Sequence, residues 1–340
     1  MNVLAARMDN EGDVLLAGPA LRAVAARAER VTLLCGPRGR RAAELLPGVD
    51  ELIGHRAPWI DPEPEPLDRD ATLALVDQLR SRRFDQALIL TSFHQSPLPL
   101  ALLLRLAGVP TVAATSEDYP GSLLDVRHRI ADDVHEVERS LSLVRTLGYE
   151  LPPGDDGRLA IRREAAAFEL DLGGPYVVMH PGASVPARAW SPERCAQLVA
   201  ALAARGRRVA VTGGPSEREL TAYVAGEHAG VVDLGGATTF SQLAEVIAGA
   251  EALVVGNTGP AHLAAAVATP VISIYAPTVP AVRWRPWRVA HELHHVAVPC
   301  AGCRAQECPV PGHPCIDEVT IDRVRASIER LAPALEAVVA

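Results

Sequence analysis

The chain has 340 residues, a formal net charge of −8 at pH 7, and 33 basic residues, all of which are arginine. The lack of lysine excludes Schiff-base chemistry and a phosphate-loop lysine, and an acidic balance without a basic run argues against nucleic acid as a partner. The length suits two domains, each able to bury its own hydrophobic core.

The first residues, MNVLAARMDNEGDVLL, lack the apolar stretch and small-residue cleavage site of a secretory signal. No apolar run approaches the roughly 18 residues that a membrane-spanning helix needs. We therefore expect a cytosolic protein without a membrane span.

The first half of the chain alternates short apolar runs with helical patterns, which is typical of a parallel sheet covered by helices. Strands are predicted at 3–6, 31–35, 87–90 and 111–114, and helices at 14–28, 71–81 and 97–106. The Asp-x-Asp sequence at Asp68 precedes one of these helices. It is interpreted as helix capping rather than as a metal-nucleotide site.

The turn after the first strand contains Gly12 and Asp13. Asp13 has two interpretations that the sequence does not separate: it caps the following helix, or it is a general base at the edge of the sheet. Three polar residues, His94, Gln95 and Ser96, follow the third predicted strand. Their position alone suggests that they line the acceptor side of a site.

The sequence LPPGDDG at 151–157 combines proline, glycine and charge, so the domain boundary is predicted there, giving domains 1–157 and 158–340. The second half continues the alternation, with strands at 176–180, 208–212, 231–234, 252–255 and 271–275. One helix is predicted to start at Pro192 with Ser191 as its cap, and a second is predicted to begin with a Ser-x-x-Glu capping box at Ser216. Two further helices are predicted at 240–248 and 261–268. The predicted fold is α/β, with two doubly wound Rossmann-like domains facing a cleft.

Ligands of doubly wound sheets bind beyond the carboxyl ends of the strands, so the turns there are candidate sites. In the second half these turns contain His180 with Gly182, and Thr212 with Gly213 and Gly214. The small residues either leave room for a bound molecule or simply form tight turns.

The most informative turn is Val254-Val255-Gly256-Asn257-Thr258-Gly259-Pro260-Ala261-His262, where an apolar strand leads into an alanine-rich helix. Proline suits the first turn of a helix, glycine permits a close backbone approach, and a helix N-terminus favours anions. This pattern predicts a phosphate site. His262 either contacts the ligand or packs in a structural role.

Four of the six cysteines, Cys300, Cys303, Cys308 and Cys315, fall within sixteen positions. Disulfides are unexpected in the cytosol, which leaves two interpretations: a structural zinc site, or free thiols in a proline-rich loop.

Five segments together resemble glycosyltransferase family 9, whose best-known members are ADP-heptose:lipopolysaccharide heptosyltransferases. They are GDVLLAGPALRAV from Gly12, HPGA from His180, ARAWSPERCAQL from Ala187, VTGGPSERE from Val211 and GNTGPAHLAAAVATPVISIYAPT from Gly256. The resemblance covers nearly the whole chain. It implies a glycosyltransferase-B fold with the acceptor on the N-terminal domain and the nucleotide sugar on the C-terminal domain, and a last helix that packs back on the N-terminal domain.

The resemblance also implies an inverting transfer without an obligatory metal or other cofactor, from an ADP-linked sugar to a hydroxyl of a glycan or glycolipid. Asp13 would be the base and Arg188 the cation beside the donor diphosphate. The positions assigned to donor binding are Gly12, His180, Gly182, Arg188, Thr212, Gly213, Gly214, Asn257, Thr258, Gly259, Pro260, Ala261 and His262.

One position departs from the family, which usually has Asp where this chain has Asn257. The substitution removes a carboxylate and retains hydrogen bonding, so it bears on the identity of the sugar rather than on the fold. A lipid-linked acceptor would bring the protein to the inner membrane face. The alternative functions are a non-catalytic nucleotide-sugar-binding protein and a nucleotide-sugar epimerase.

Overall fold

The protein is described from a computed structural model, and the description applies to residues 1–163 and 173–333. The chain forms two compact units, Met1–Arg162 and Arg163–Ala340. The domain boundary predicted after residue 157 lies a few residues before the division between Arg162 and Arg163.

The first unit is a parallel six-stranded sheet with helices between its strands. Its strands are β1 (Asn2–Arg7), β2 (Arg30–Cys35), β3 (Glu51–Gly54), β4 (Gln86–Ile89), β5 (Thr111–Thr115) and β6 (Val126–His128), in the order β3-β2-β1-β4-β5-β6. Its helices are α1 (Glu11–Ala25), α2 (Arg40–Ala43), α3 (Arg69–Arg82), α4 (Leu98–Leu106) and α5 (Glu136–Arg145). In the central strand β1, Val3 to Ala6 are all buried, as expected for a strand covered on both faces.

Two helix starts in this unit decide between alternatives left by the sequence. Asp68 is the N-cap of α3, and its carboxylate accepts hydrogen bonds from the backbone N–H groups of Asp70 and Ala71 at 2.9 and 3.0 Å. The capping interpretation of Asp68 is confirmed. The N-cap of α1 is Asn10, so the capping interpretation of Asp13 is wrong.

The second unit repeats the architecture. Its strands are β7 (Tyr176–His180), β8 (Arg208–Val211), β9 (Val231–Asp233), β10 (Ala252–Gly256), β11 (Val271–Ile274) and β12 (His291–His294), in the order β9-β8-β7-β10-β11-β12. Its helices are α6 (Pro192–Ala203), α7 (Arg218–Ala225), α8 (Phe240–Ala248), α9 (Gly259–Ala266), α10 (Ala281–Trp284), α11 (Pro314–Asp317) and α12 (Ile321–Leu331). All strand pairs in both sheets are parallel, which confirms the predicted pair of doubly wound α/β units.

One capping prediction in the second unit is wrong, and another is confirmed in position only. The Glu217 carboxylate accepts the Gly214 N–H at 2.7 Å across the short 3-10 turn Pro215–Glu217, and Glu217 is also the N-cap residue of α7. The capping box predicted at Ser216 is therefore wrong. Ser191 is the N-cap residue of α6, but its side chain makes no capping hydrogen bond.

The last described helix, α12, places Val324 and Ile328 in the hydrophobic core of the second unit. Residues 334–340 lie outside the described part of the chain. The expected packing of the final helix on the N-terminal domain stays a prediction.

Each sheet has one point where the strand order reverses direction, between β1 and β4 in the first unit and between β7 and β10 in the second. The turns after these neighbouring strands leave in opposite directions and open a crevice at the carboxyl edge of the sheet. These two crevices are where the fold favours ligand binding.

Candidate functional site

The crevice of the first unit is built around Arg7, the last residue of β1, whose side chain is only 1% exposed. Its Nη2 donates to Asp13 Oδ1 at 3.1 Å and to Ser92 Oγ at 2.7 Å. Its Nε lies 3.0 Å from Asp9 Oδ1, and its Nη1 lies 3.5 Å from Glu136 Oε2. One buried cation therefore joins β1, α1, the loop after β4 and the start of α5.

The loop after β4 completes this network through Ser92, whose hydroxyl donates to Asp9 Oδ2 at 2.8 Å. Gln95 Oε1 accepts the Ser92 N–H at 3.1 Å, so the predicted acceptor-side residue Gln95 belongs to the cluster. The other two predicted residues lie nearby in other contacts: His94 meets Phe93 edge-on at 5.3 Å, and Ser96 accepts the Leu98 N–H at 3.4 Å.

Burial dominates the electrostatics of this cluster. It raises the pKa of Asp9, and it raises the pKa of Glu136 to about 6 although Arg7 and Arg139 oppose the shift. Burial disfavours the charge of Arg7, but the three surrounding carboxylates outweigh it, and its pKa is raised. Asp13 is 19% exposed, against 7% for Asp9 and 1% for Glu136, so it is the carboxylate of the three that a substrate can reach best.

Two glycines let the turn after β1 take this shape. A Cβ at Gly36 would overlap the carbonyl oxygen of Met8, and one at Gly39 would lie 2.6 Å from Val14 Cγ2 and 2.8 Å from the carbonyl oxygen of Asp9. A Cβ atom does not approach another heavy atom this closely, so glycine is required at both positions for the segment after β2 to pack against the turn after β1 and the start of α1.

The crevice of the second unit contains the predicted donor turns. His180 at the end of β7 bonds Thr212 through Nδ1 and Oγ1 at 3.0 Å. Burial lowers the pKa of His180, with the nearby Glu217 carboxylate opposing the shift. The Glu217 side chain also takes up the space beside Gly182, where a Cβ would overlap its carboxylate. The small residues of these turns thus accommodate Glu217.

The start of α9 follows β10 at the same switch point. Thr258 is the N-cap residue, and its side chain makes no capping hydrogen bond. Pro260 has no N–H, and the Ala261 N–H bonds to the Thr258 carbonyl at 3.0 Å. The groups that this helix end can offer an anion are therefore its dipole, the Thr258 hydroxyl and the backbone at Gly259.

Arg188 lies against this turn, because a Cβ at Gly256 would be 2.5 Å from its carbonyl oxygen. Its Nε donates to Thr278 Oγ1 at 3.3 Å. Burial raises the pKa of Tyr275, whereas the charge of Arg188 and a hydrogen bond from Asn257 lower it, so both groups stand beside the phenol. The structure thus brings the predicted residues Arg188, Asn257 and Thr258 together.

Two buried atoms at this site have no hydrogen-bond partner among the described residues: Asn257 Oδ1 and His262 Nδ1. Burial lowers the pKa of His262 to about 4, so its imidazole is neutral at physiological pH. A neutral ring cannot supply positive charge to a phosphate. The Asn257 side-chain oxygen, directly after β10, is a hydrogen-bond acceptor that none of the described residues uses.

The cysteine-rich loop is attached to the same region. The Ala187 N–H donates to the Gln306 carbonyl at 2.9 Å, and the Arg304 N–H donates to the Thr278 carbonyl at 3.0 Å. Among residues 1–163 and 173–333, no three His, Cys, Asp or Glu side chains are placed to hold a metal ion. The zinc interpretation of the four cysteines stays a prediction, beside the free-thiol alternative.

The cysteines themselves differ in exposure. Cys300 and Cys303 are exposed, Cys308 is half-buried and Cys315 is buried. Burial raises the pKa of Cys315 to about 11, and the neighbouring three thiols add to the shift. Cys315 is thus a protonated core thiol at neutral pH.

The residues that the sequence analysis missed are Arg7, Asp9, Ser92, Glu136, Glu217 and Tyr275. Arg7 had a local signal, since it is a charged residue at the end of an otherwise apolar strand and has acidic residues two and six positions later. Ser92 and Glu136 had none, because they are 85 and 129 residues away from Arg7 along the chain.

No helix within the described ranges combines the length and apolar character needed to cross a bilayer.

Comparisons with known proteins agree with this architecture. The family model described as glycosyltransferase family 9 (heptosyltransferase) matches residues 72–313. Lipopolysaccharide heptosyltransferase 3 of Escherichia coli strain K12 is 34% identical over 164 residues, which are 45% of this chain and 47% of the relative. The chain thus spans about half the length of this curated relative.

Two solved structures are similar over nearly the whole chain. E. coli ADP-heptose lps heptosyltransferase II has a TM-score of 0.76 at 21% identity, covering 98% of both chains. E. coli heptosyltransferase WaaC with ADP-2-deoxy-2-fluoro heptose has a TM-score of 0.74 at 24% identity, covering 97% of this chain and 99% of that one. These likenesses confirm the glycosyltransferase-B fold class. Because the family model covers well over half of its residues, the chain belongs to glycosyltransferase family 9.

Proposed function

We propose that the chain is an inverting glycosyltransferase that moves a heptose or a related sugar from an ADP-linked donor to a hydroxyl of a lipopolysaccharide or another cell-envelope glycan. Family membership supports the reaction class. The ADP-linked sugar is supported by the relative whose structure contains ADP-2-deoxy-2-fluoro heptose. A lipid-linked acceptor would place the protein on the cytoplasmic side of the inner membrane as a peripheral protein.

The second unit would hold the donor. The backbone of Arg188 packs against Gly256, just before α9, and its Nε bonds Thr278. Its guanidinium would offer a planar fork to two phosphate oxygens, and the N-terminal end of α9 would add a positive dipole. Both would stabilise the negative charge that develops on the departing nucleoside diphosphate. These groups would take the role that a metal ion has in other transferases, so we infer that transfer requires none.

The first unit would supply the base. Asp13 would take the proton of the acceptor hydroxyl while the oxygen of that hydroxyl attacks the anomeric carbon. The bond from the sugar to the donor phosphate would break on the opposite face, which inverts the anomeric configuration. The observation that carries this proposal is the position of Asp13, a partly exposed carboxylate in a switch-point crevice, whose Oδ1 is held by a buried arginine.

The test is to incubate the purified chain with ADP-heptose and lipopolysaccharide that lacks its heptoses, and to measure product by mass spectrometry. We expect transfer by the wild type and a loss of about 10³-fold in kcat for Asp13→Asn, with an unchanged affinity for ADP. Asp155→Asn is the matched control, because Asp155 is 16% exposed and also pairs with an arginine, Arg22. It should keep kcat within twofold.

The two alternative functions give different results in the same assay. A nucleotide-sugar-binding protein would bind ADP and transfer nothing to any acceptor. An epimerase would change the sugar of ADP-heptose in the absence of an acceptor. Transfer by Asp13→Asn at the wild-type rate would contradict the role of Asp13 as base.

A further inference from the structure

We propose that Arg7 is a positioning residue for the transfer: its guanidinium holds Asp13 in the orientation that accepts the proton, and Asp9, Ser92 and Glu136 hold the guanidinium. The inference rests on the proposed role of Asp13 as the base. It assigns a task to a buried charged cluster that joins β1, α1, the loop after β4 and the start of α5.

The location of Arg7 is hard to explain by stability. The four residues before it in β1, Val3 to Ala6, are apolar and at most 1% exposed, and Arg7 itself is 1% exposed. A buried charged group costs several kcal/mol in desolvation, and apolar side chains of similar volume often stabilise a fold as well or better. A purely structural strand would therefore be expected to end in an apolar residue at this position.

The guanidinium is fixed from every side. Its Nε faces Asp9 at 3.0 Å and its Nη1 faces Glu136 at 3.5 Å, while Nη2 is shared between Asp13 Oδ1 at 3.1 Å and Ser92 Oγ at 2.7 Å. Nη1 and Nη2 make hydrogen bonds, and the Nε–Asp9 contact is an ion pair without hydrogen-bond geometry. Together they orient the guanidinium plane, and the Nη2 hydrogen bond then orients the Asp13 carboxylate.

The three carboxylates are also divided in their access to substrate. Asp9 and Glu136 are buried, whereas Asp13 is 19% exposed. The buried pair thus contacts groups inside the cluster, and Asp13 is the carboxylate of the three that can meet a substrate hydroxyl. A misplacement of about 1 Å in a catalytic group can cost about 100-fold in rate, which is the magnitude expected when the fork is lost.

The test compares Arg7→Lys, which keeps a positive charge but removes the planar fork, with Arg22→Lys. Arg22 is the matched control because it also binds an aspartate of the same unit, Asp155, through Nε at 2.6 Å and Nη2 at 2.9 Å. For Arg7→Lys we expect kcat to fall about 100-fold, with the KM for ADP-heptose and the Kd for ADP within twofold of wild type. Arg22→Lys should keep all three within twofold.

A double variant separates positioning from general damage to the fold. If Arg7 acts through Asp13, Arg7→Lys should lower kcat no further in the Asp13→Asn background. A loss that multiplies in the double variant would overturn the inference. So would a folded Arg7→Lys variant with kcat within threefold of wild type.

If Arg7→Lys does not fold, Ser92→Ala takes its place, because it removes one of the groups that hold Nη2 and leaves the arginine intact. We expect about a tenfold lower kcat and unchanged ADP affinity, and a wild-type kcat would overturn the inference. Failure of the proposed function gives a different result. If Asp13→Asn transfers the sugar at the wild-type rate, Asp13 is not the base, whatever the behaviour of the Arg7 variants.

Discussion

At the scale of single residues, the buried carboxylate of Glu136 shows how the first unit tolerates charge at its site. Burial is the largest influence on this group and raises its pKa to about 6, while the positive charges of Arg7 and Arg139 moderate the shift. The folded protein therefore holds a proton on Glu136 more tightly than the unfolded chain does. The ionised form of this residue costs folding free energy.

Glu136→Gln should change how stability depends on pH. Because the pKa of Glu136 is raised on folding, its favourable contribution is complete below the unfolded value near 4.5 and is lost as pH rises through about 6. The free energy of unfolding of the variant, relative to wild type, should thus increase by about 2 kcal/mol between pH 4.5 and pH 7. Urea unfolding at both pH values measures it.

The exposed residue Glu29 provides the control for this measurement, because its side chain is 88% exposed. For Glu29→Gln, the change in the free energy of unfolding between pH 4.5 and pH 7 should be the same as for the wild type. A Glu136→Gln variant whose unfolding free energy tracks that of the wild type across this range would contradict the account of a buried, proton-retaining carboxylate.

The limits of sequence analysis are clearest at this scale. Asp13, Arg188 and Asn257 stood out because they follow strands in turns rich in small residues, and the structure places each at a switch point. The partners of Asp13 did not stand out, since they come from distant segments that only the folded sheet brings together. Local patterns identify a turn, whereas the hydrogen bonds that orient its side chains depend on tertiary contacts.

At the scale of elements, the turn between β10 and α9 depends on the absence of a side chain at Gly256. A Cβ there would lie 2.5 Å from the carbonyl oxygen of Arg188, which is closer than real contacts of this kind. Gly256→Ala should push the Arg188 turn away from the start of α9. We expect the affinity for ADP to fall at least about tenfold, or about 1.4 kcal/mol, in a calorimetric titration.

Gly54→Ala is the control for this prediction, because a Cβ there would meet only the end of the flexible Arg40 side chain, at 3.3 Å. It should bind ADP as the wild type does. A folded Gly256→Ala variant with wild-type affinity would show that the close packing of Arg188 against the turn does not matter for the donor.

Strands and helices were predictable to different degrees. β1, β2, β4, β5 and the five strands β7 to β11 all coincide with apolar runs in the sequence. β3 (ELIG), β6 (VRH) and β12 (HELH) were not predicted, because they are short, mixed in polarity and include the edge strands of their sheets. Hydrophobic patterning detects strands that contain an apolar run, including the edge strand β9, and loses short strands of mixed polarity.

At the scale of the whole molecule, the two units share one design. Each has six parallel strands in the same order, and each carries its candidate groups at the switch point, a carboxylate in the first and an arginine beside a helix N-terminus in the second. The repeated alternation of strands and helices made this architecture predictable from the sequence. The two kinds of group match the two requirements of glycosyl transfer, a base for the acceptor and positive charge for the leaving group.

We propose that the second unit binds an ADP-linked donor without the help of a metal ion. The first measurement is a calorimetric titration of the full chain with ADP, GDP, UDP and dTDP in the presence of a metal chelator. We expect ADP to bind under these conditions and the other three nucleotides to bind more weakly. Binding of another nucleotide in preference to ADP would contradict the proposal that the donor is ADP-linked. ADP binding that appears only when a divalent metal is restored would contradict the roles given to Arg188 and α9.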